Sequence, residues 1–310
     1  MRYLPTEAKP SHIRASETIG RSGKLELMRK IVATRRVLFD AAGHFHDDDG
    51  WAMASHLAIS ALMALFPFLI FATTLASFLG ADAFAETAVH LVFDTWPDQI
   101  AAPIAREVVN VLTVPRTDLL TYGVVLAAYF ASNGVEALRT SLNRAYRITE
   151  TRTFWFRRIQ SIFFVLIATI SFVAISVLLV FAPIIARILE AKFEWIQPYM
   201  GTITVWRFSI ASAVIVFGLF AVHMWLPAGR RRFFSIIPGI VFTLIAWVVG
   251  STIFAAYLDT FSSYVTTYAG LASIMIAVVF LYIVSAIFIL GGELNAAISR
   301  YLEARARVPG

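Results

Sequence analysis

The stretch TFSSYVTTYAGLASIMIAVVFLYIVSAIFILGG at 260–292 contains no Asp, Glu, Lys or Arg. A helix needs about 20 apolar residues to cross the hydrocarbon core of a bilayer, and this run exceeds that length. Charge-free runs recur at 50–81, 119–135, 159–186, 208–229 and 233–258. The run at 119–135 is short and must borrow residues at its ends. Backbone groups in lipid have to be satisfied within the segment, so the runs predict helices. A β-barrel would show short alternating segments, and none is visible. The expectation is an all-α polytopic membrane protein with six spans, at about 51–79, 119–137, 160–186, 206–226, 236–257 and 268–290. Its hydrophobic content of 59% and mean hydropathy of +0.74 lie outside the range of soluble domains.

The basic residues fix an orientation. Arg2, Lys9, Arg14, Arg21, Lys24, Arg29, Lys30, Arg35 and Arg36 precede the first span. Arg139, Arg144, Arg147, Arg152, Arg157 and Arg158 fill the second gap, Arg230–Arg232 the fourth, and Arg300, Arg305 and Arg307 the tail. Together these are 21 of the 26 basic residues. Cytoplasmic loops retain Lys and Arg, so both termini are expected inside the cell. Net charge +6 is explained by this topology and by attraction to anionic headgroups, without nucleic acid as a partner.

Residues 1–46 read as a cytoplasmic segment, 47–303 as the membrane domain and 304–310 as a cytoplasmic tail. The N-terminal 50 residues lack an apolar h-region, so no cleaved signal peptide is expected. Within 24–46, Leu27, Ile31, Leu38 and Phe39 among basic residues predict an amphipathic helix on the inner surface. The 82–118 connection is acidic and broken at Trp96-Pro97. It predicts two short amphipathic helices on the outer side.

Metal-dependent RNA hydrolysis needs clustered His and carboxylate ligands. The only dense cluster is His44, His46 and Asp47–Asp49. Its preferred reading is a carboxylate cap on the first span, and no metal is assigned. The chain has no cysteine, which removes disulfides and thiolate chemistry. No P-loop, HExxH helix or Ser-His-Asp order is present, so neither an enzyme nor a cofactor is expected.

Polar residues within spans face the bundle or water and are often functional. Asn133, Glu136, Thr140, Asn143 and Arg147 follow helical spacing and share a face, with Arg139 beside Glu136. Two readings stand: a helix leaving the membrane with Glu136 paired to Arg139 or Thr140, or the polar wall of a cavity. Glu293 and Asn295 follow the uncharged run and two glycines, Gly291 and Gly292, which permit close helix approach. Glu293 is either an interfacial acid paired with an arginine such as Arg300, or a buried acid whose pairing changes in transport. Pro67 predicts a kink in the first span. His56 lies near the inner end of that span. These polar groups converge on the cytoplasmic side beneath an arginine rim, suited to an anionic lipid headgroup.

Three blocks carry a family resemblance. Asp48-Asp49 leads to MASHLAISALMALFPFLI with Phe66-Pro67. SNGVEALRTSLNRAY at 132–146 contains Leu142-Asn143 and is followed by Glu150-Thr151-Arg152. GGELNAAI occupies 291–298. In this order, across about 35–300, they resemble the YihY/BrkB family of bacterial inner-membrane proteins, once labelled ribonuclease BN. His56 departs from the family, where a small or apolar residue is expected. The resemblance implies an inner-membrane protein associated with envelope integrity and serum resistance. The leading expectation is a transporter or flippase-like protein for a lipid or other anionic envelope component. The alternative is a scaffold that meets an envelope protein through 82–118.

Overall fold

The computed structural model describes residues 34–78, 120–181, 193–260 and 269–307. Every regular element among them is helical. Helix α1 covers 34–47. It is followed by α2 (Gly50–Phe78), α3 (Leu120–Ala145), α4 (Phe154–Ser176), α5 (Met200–Trp225), α6 (Phe233–Thr260) and α7 (Ala269–Arg307). A π-helical turn, Val177–Phe181, extends α4, and a 3-10 turn, Glu194–Tyr199, leads into α5. The connection at 82–118, with its two expected amphipathic helices, lies outside the described residues.

Five segments are long and apolar enough to cross a membrane: Gly50–Ala72, Phe154–Leu179, Gln197–Trp225, Phe233–Leu258 and Ile274–Ala304. The remaining expected span falls on α3, a 26-residue helix. Its second half carries Glu136, Arg139, Asn143 and Arg144, which lowers its apolar character below that of the other five.

Helices pack in lipid by close approach rather than by expulsion of water, so small residues mark the seams. The buried face of α2 includes Ala54, Ala58, Ala64 and Ala72, and that of α3 includes Ala127, Ala128, Ala131 and Ala137. These helices lie against each other. Gly134 sits so close to Ala64 that an added methyl would touch its Cβ at 3.0 Å. Pro67 lies inside α2 without ending it. The α6–α7 seam is closer still. A methyl at Gly239 would overlap the Gly291 carbonyl and the Asn295 side chain, and one at Gly291 would overlap Thr243.

Helix α1 turns Ala41 and Phe45 inward, with Ala41 against Leu294 and Ala297 of α7. Leu38 and Phe39, two of the expected apolar positions, point outward. The large outward-facing residues elsewhere are apolar, among them Met63, Val125, Phe217, Val248 and Met275. That is the surface expected where lipid replaces water. The main core gathers at one end of the bundle, around Phe45, Leu57, Leu142, Leu219, Ile236, Ile240 and Phe288. The starts of α2, α4 and α6 meet the ends of α3 and α5 there, beside the second half of α7. The site lies at this end.

Candidate functional site

Two polar clusters and one isolated acid occupy that end. The first cluster is centred on Arg139, which is 1% exposed. Its guanidinium pairs with Glu136 one turn back. It also donates to the Leu226 carbonyl at 3.3 Å, to the Arg157 carbonyl at 3.1 Å and to Gln160 Oε1 at 3.0 Å. Ser161 Oγ donates to Glu136 at 2.7 Å. Arg152 reaches the same acceptors: Gln160 Oε1 at 3.1 Å and the Leu226 carbonyl at 2.8 Å. It is held by two 2.7 Å bonds to Glu150. Asn143 closes the ring, donating to Glu150 at 2.9 Å and accepting the Ala228 N–H at 2.7 Å. A buried guanidinium left unpaired is costly; that of Arg139 is surrounded by acceptors, and the partly exposed Arg152 shares two of them. The bonds from Arg152 and Asn143 hold the Glu150 carboxyl well down, at about 2.

Helix α3 ends so that these residues can meet. Arg147 takes φ +54°. Its N–H bonds to the Arg144 carbonyl, and the Ile148 N–H bonds to the Asn143 carbonyl. This is a Schellman ending with arginine where glycine is usual. The left-handed conformation costs about 1 kcal/mol for a residue with a Cβ. Arg147 is held there by Asp48, at 2.9 Å. Asp49, also at positive φ, pairs with Arg144 at 2.9 Å. Its carbonyl accepts the Met53 N–H, which places it at the N-cap of α2. The expected carboxylate cap gives way to ion pairs: the carboxylates of Asp48 and Asp49 bind arginines of the α3 end.

The second cluster joins α3, α5, α6 and α7. The Gly239 N–H donates to Asn295 Oδ1 at 2.7 Å. This fixes the amide, so Nδ2 donates to the Tyr146 hydroxyl at 3.3 Å. The hydroxyl lies 3.0 Å from His223 Nδ1. Burial pushes the Tyr146 hydroxyl up to about 12. The Arg231 guanidinium stacks 4.0 Å from the centre of the Tyr146 ring, and burial lowers its pKa from the ordinary arginine value.

Glu293 is 1% exposed, and its Oε2 has no hydrogen-bond partner. Asp48, Arg300, Arg147 and Asp40 are the charged groups acting on it. Both cations are already engaged, Arg147 by Asp48 and Arg300 by Asp40 at 3.1 Å. Of the two readings of Glu293, the structure matches the buried acid, with Arg300 bound to Asp40 instead.

The structure brings Glu136, Arg139, Asn143, Glu293 and Asn295 to one end, and it leaves two expected residues outside. Asn133 is exposed and accepts from Arg158 at 2.9 Å. His56 is exposed on α2 and takes no part in either cluster. Gly291 and Gly292 mark tight crossings. Of the expected arginine rim, Arg139, Arg144 and Arg147 are paired with carboxylates. Sequence reasoning missed Gln160, Ser161, Tyr146 and His223; only Tyr146 lay within a recognised block. Among the described residues, no group of three or more His, Cys, Asp or Glu side chains could hold a metal ion. His44 pairs with Asp40 at 3.3 Å instead.

These blocks coincide with a known pattern. The profile of the family described as Virulence factor BrkB matches residues 41–309. The chain belongs to the BrkB family. It is 28% identical over 252 residues to YfkH of Bacillus subtilis, named a ribonuclease-like protein, covering 81% of this chain and 91% of that one. It is 24% identical over 263 residues to a UPF0761 membrane protein of Coxiella burnetii, covering 82% and 90%. A UPF0761 membrane protein of Rhodospirillum centenum is 24% identical over 272 residues, 86% of this chain and 58% of the longer relative. No solved structure matches. The BrkB blocks at 132–146 and 291–298 supply Arg139, Asn143, Tyr146, Glu293 and Asn295, so much of the resemblance falls on the polar end.

Proposed function

We propose that this BrkB protein is a multi-pass protein of the bacterial inner membrane that moves a lipid or another anionic envelope component. In this reading all six helices α2–α7 cross the bilayer, both termini are cytoplasmic and the polar end faces the cytoplasm. The distribution of Lys and Arg supports the orientation. The observation that carries the reading is Glu293, a buried acid in an apolar helix whose neighbouring cations are already paired. Structural acids in membranes pair; an unpaired one marks a pathway or a coupling site. The satisfied cluster around Arg139 acts as the closed inner gate, and the loop at 226–232 is the part that must move to open it.

A second reading rests on how fully Arg139 and Arg152 are satisfied. Such a lock suits a rigid scaffold for envelope assembly, with the acidic segment 82–118 as its partner surface. Flux of fluorescent anionic and zwitterionic lipids in proteoliposomes separates the two. Transport by the wild type that falls in Glu293→Gln across the neutral pH range supports the first. Absence of flux from folded protein, with a partner that co-purifies until 82–118 is neutralised, supports the second.

A further inference from the structure

Proton counting in the second cluster exposes an imbalance. The Tyr146 hydroxyl accepts from Asn295 Nδ2 and lies 3.0 Å from His223 Nδ1. His223 is fully buried, and its Nε2 has no hydrogen-bond partner. Arg231 shows the same imbalance on a larger scale. Its Nη2 donates to the Ala228 carbonyl at 2.8 Å, but Nε and Nη1 are buried with no acceptor. No carboxylate among the described residues forms an ion pair with Arg231. The contrast with Arg139 and Arg152 is sharp, because the same end of the bundle satisfies those two with carboxylates, an amide and carbonyls. Unmet buried donors are expensive, and the two on Arg231 are donors whichever tautomer His223 takes. What would satisfy them is an acceptor carrying negative charge.

We infer that Arg231, seated on Tyr146 beside His223, is a binding site for a phosphate-type oxyanion, either a phospholipid headgroup or free phosphate. Phosphate suits a guanidinium because it offers several acceptor oxygens to a fork of donors. The aromatic face of Tyr146 holds the fork in place. The site deepens the transport reading and rests on it for the role of the ligand. Binding itself does not require flux.

The test is equilibrium binding to the purified full chain in phosphatidylcholine nanodiscs. Inorganic phosphate is titrated by calorimetry, and retained phosphatidylglycerol is counted by native mass spectrometry after mixed-lipid reconstitution. Arg231→Gln is expected to weaken the bound anion at least tenfold, and Arg231→Lys several-fold, since a point charge cannot reproduce the fork. Arg307→Gln, an exposed change of equal charge in the tail, should leave binding within twofold. Phosphate binding lost in Arg231→Gln identifies a free anion as ligand. Retained phosphatidylglycerol lost in the variant, with no phosphate binding, identifies the headgroup. No anion bound by the wild type, or equal binding by the wild type and Arg231→Lys, overturns the site. If Arg231→Gln does not fold, the lysine variant decides. Flux unchanged by Arg231→Lys while binding is also unchanged removes this site and leaves transport standing. Binding without flux keeps the site and removes transport.

Discussion

The side chain of Arg139 is bonded to the main-chain carbonyl of Leu226, 87 residues further along the chain. A 1%-exposed cation is thus tied to the loop between α5 and α6 as well as to its own helix. Removing it leaves Glu136 without its cation and opens a void at the centre of the network, while Arg152 still holds the Leu226 carbonyl. Arg139→Ala is expected to lose about 3 kcal/mol or more, read as a large drop in the unfolding midpoint in detergent. Arg144→Gln breaks an exposed pair with Asp49 and should cost under about 1 kcal/mol. Equal losses in the two variants would contradict the buried network.

Glu150 sets an acid limit. Its pKa is about 2 in the fold against an ordinary 4.5. A depressed carboxyl stabilises the fold above its unfolded pKa and loses that contribution as pH falls through the folded value. Stability should therefore be level above about pH 4.5 and decline toward pH 2. Glu150→Gln should be less stable at neutral pH and show a shallower decline across that window. An identical acid limb in both proteins would count against the Arg152 and Asn143 bonds.

The α6–α7 seam gives a steric test. Gly239→Ala and Gly291→Ala place a methyl on backbone or on a fixed polar side chain. Overpacking of this kind costs about 1–3 kcal/mol, and each variant should fold poorly or unfold at markedly lower temperature. Gly218→Ala on α5 meets nothing within 4 Å and should be neutral or slightly stabilising. Tolerance of Gly291→Ala would mean that the helices do not approach as described.

Orientation is open to direct labelling because the chain has no native cysteine. Arg230→Cys should react with an impermeant maleimide from the cytoplasmic face alone, and Asp98→Cys from the opposite face alone. Labelling of both positions from one face would overturn the six-span topology.

The helices were legible because a charge-free run of about 20 residues has few alternatives. Five of them stand as apolar spans, and the sixth run falls on α3, whose second half is too polar to resemble the rest. The gathering of Glu136, Arg139, Asn143, Glu293 and Asn295 at one end was also legible, from alternate chain direction and helical spacing. Their partners were not. The carbonyls of Leu226 and Arg157 leave no mark in the sequence, and an amide such as Gln160 reads as ordinary. Arg139 looked like part of a topological signal shared with its neighbours, yet it is buried while Arg144 and Arg147 are not. His56 misled for the opposite reason: polarity inside an apolar run does not say which way a side chain faces.

Asn295 and Tyr146 are bonded across 149 residues, and that separation has a consequence for how the protein is made. Chains emerge from the ribosome N-terminus first. The end of α3 is therefore synthesised with Arg139 and Tyr146 long before Leu226, Gly239 or Asn295 exist. Through that interval its polar half has Glu136, Asp48 and Asp49 but lacks the Leu226 carbonyl and Asn295, and must stay at a wet surface or against the insertion machinery. The helix least able to enter lipid alone is seated by those that follow it. Biogenesis then has a late committing step: chains truncated before 295 should retain α3 in a protease-accessible state, and full-length chains should protect it.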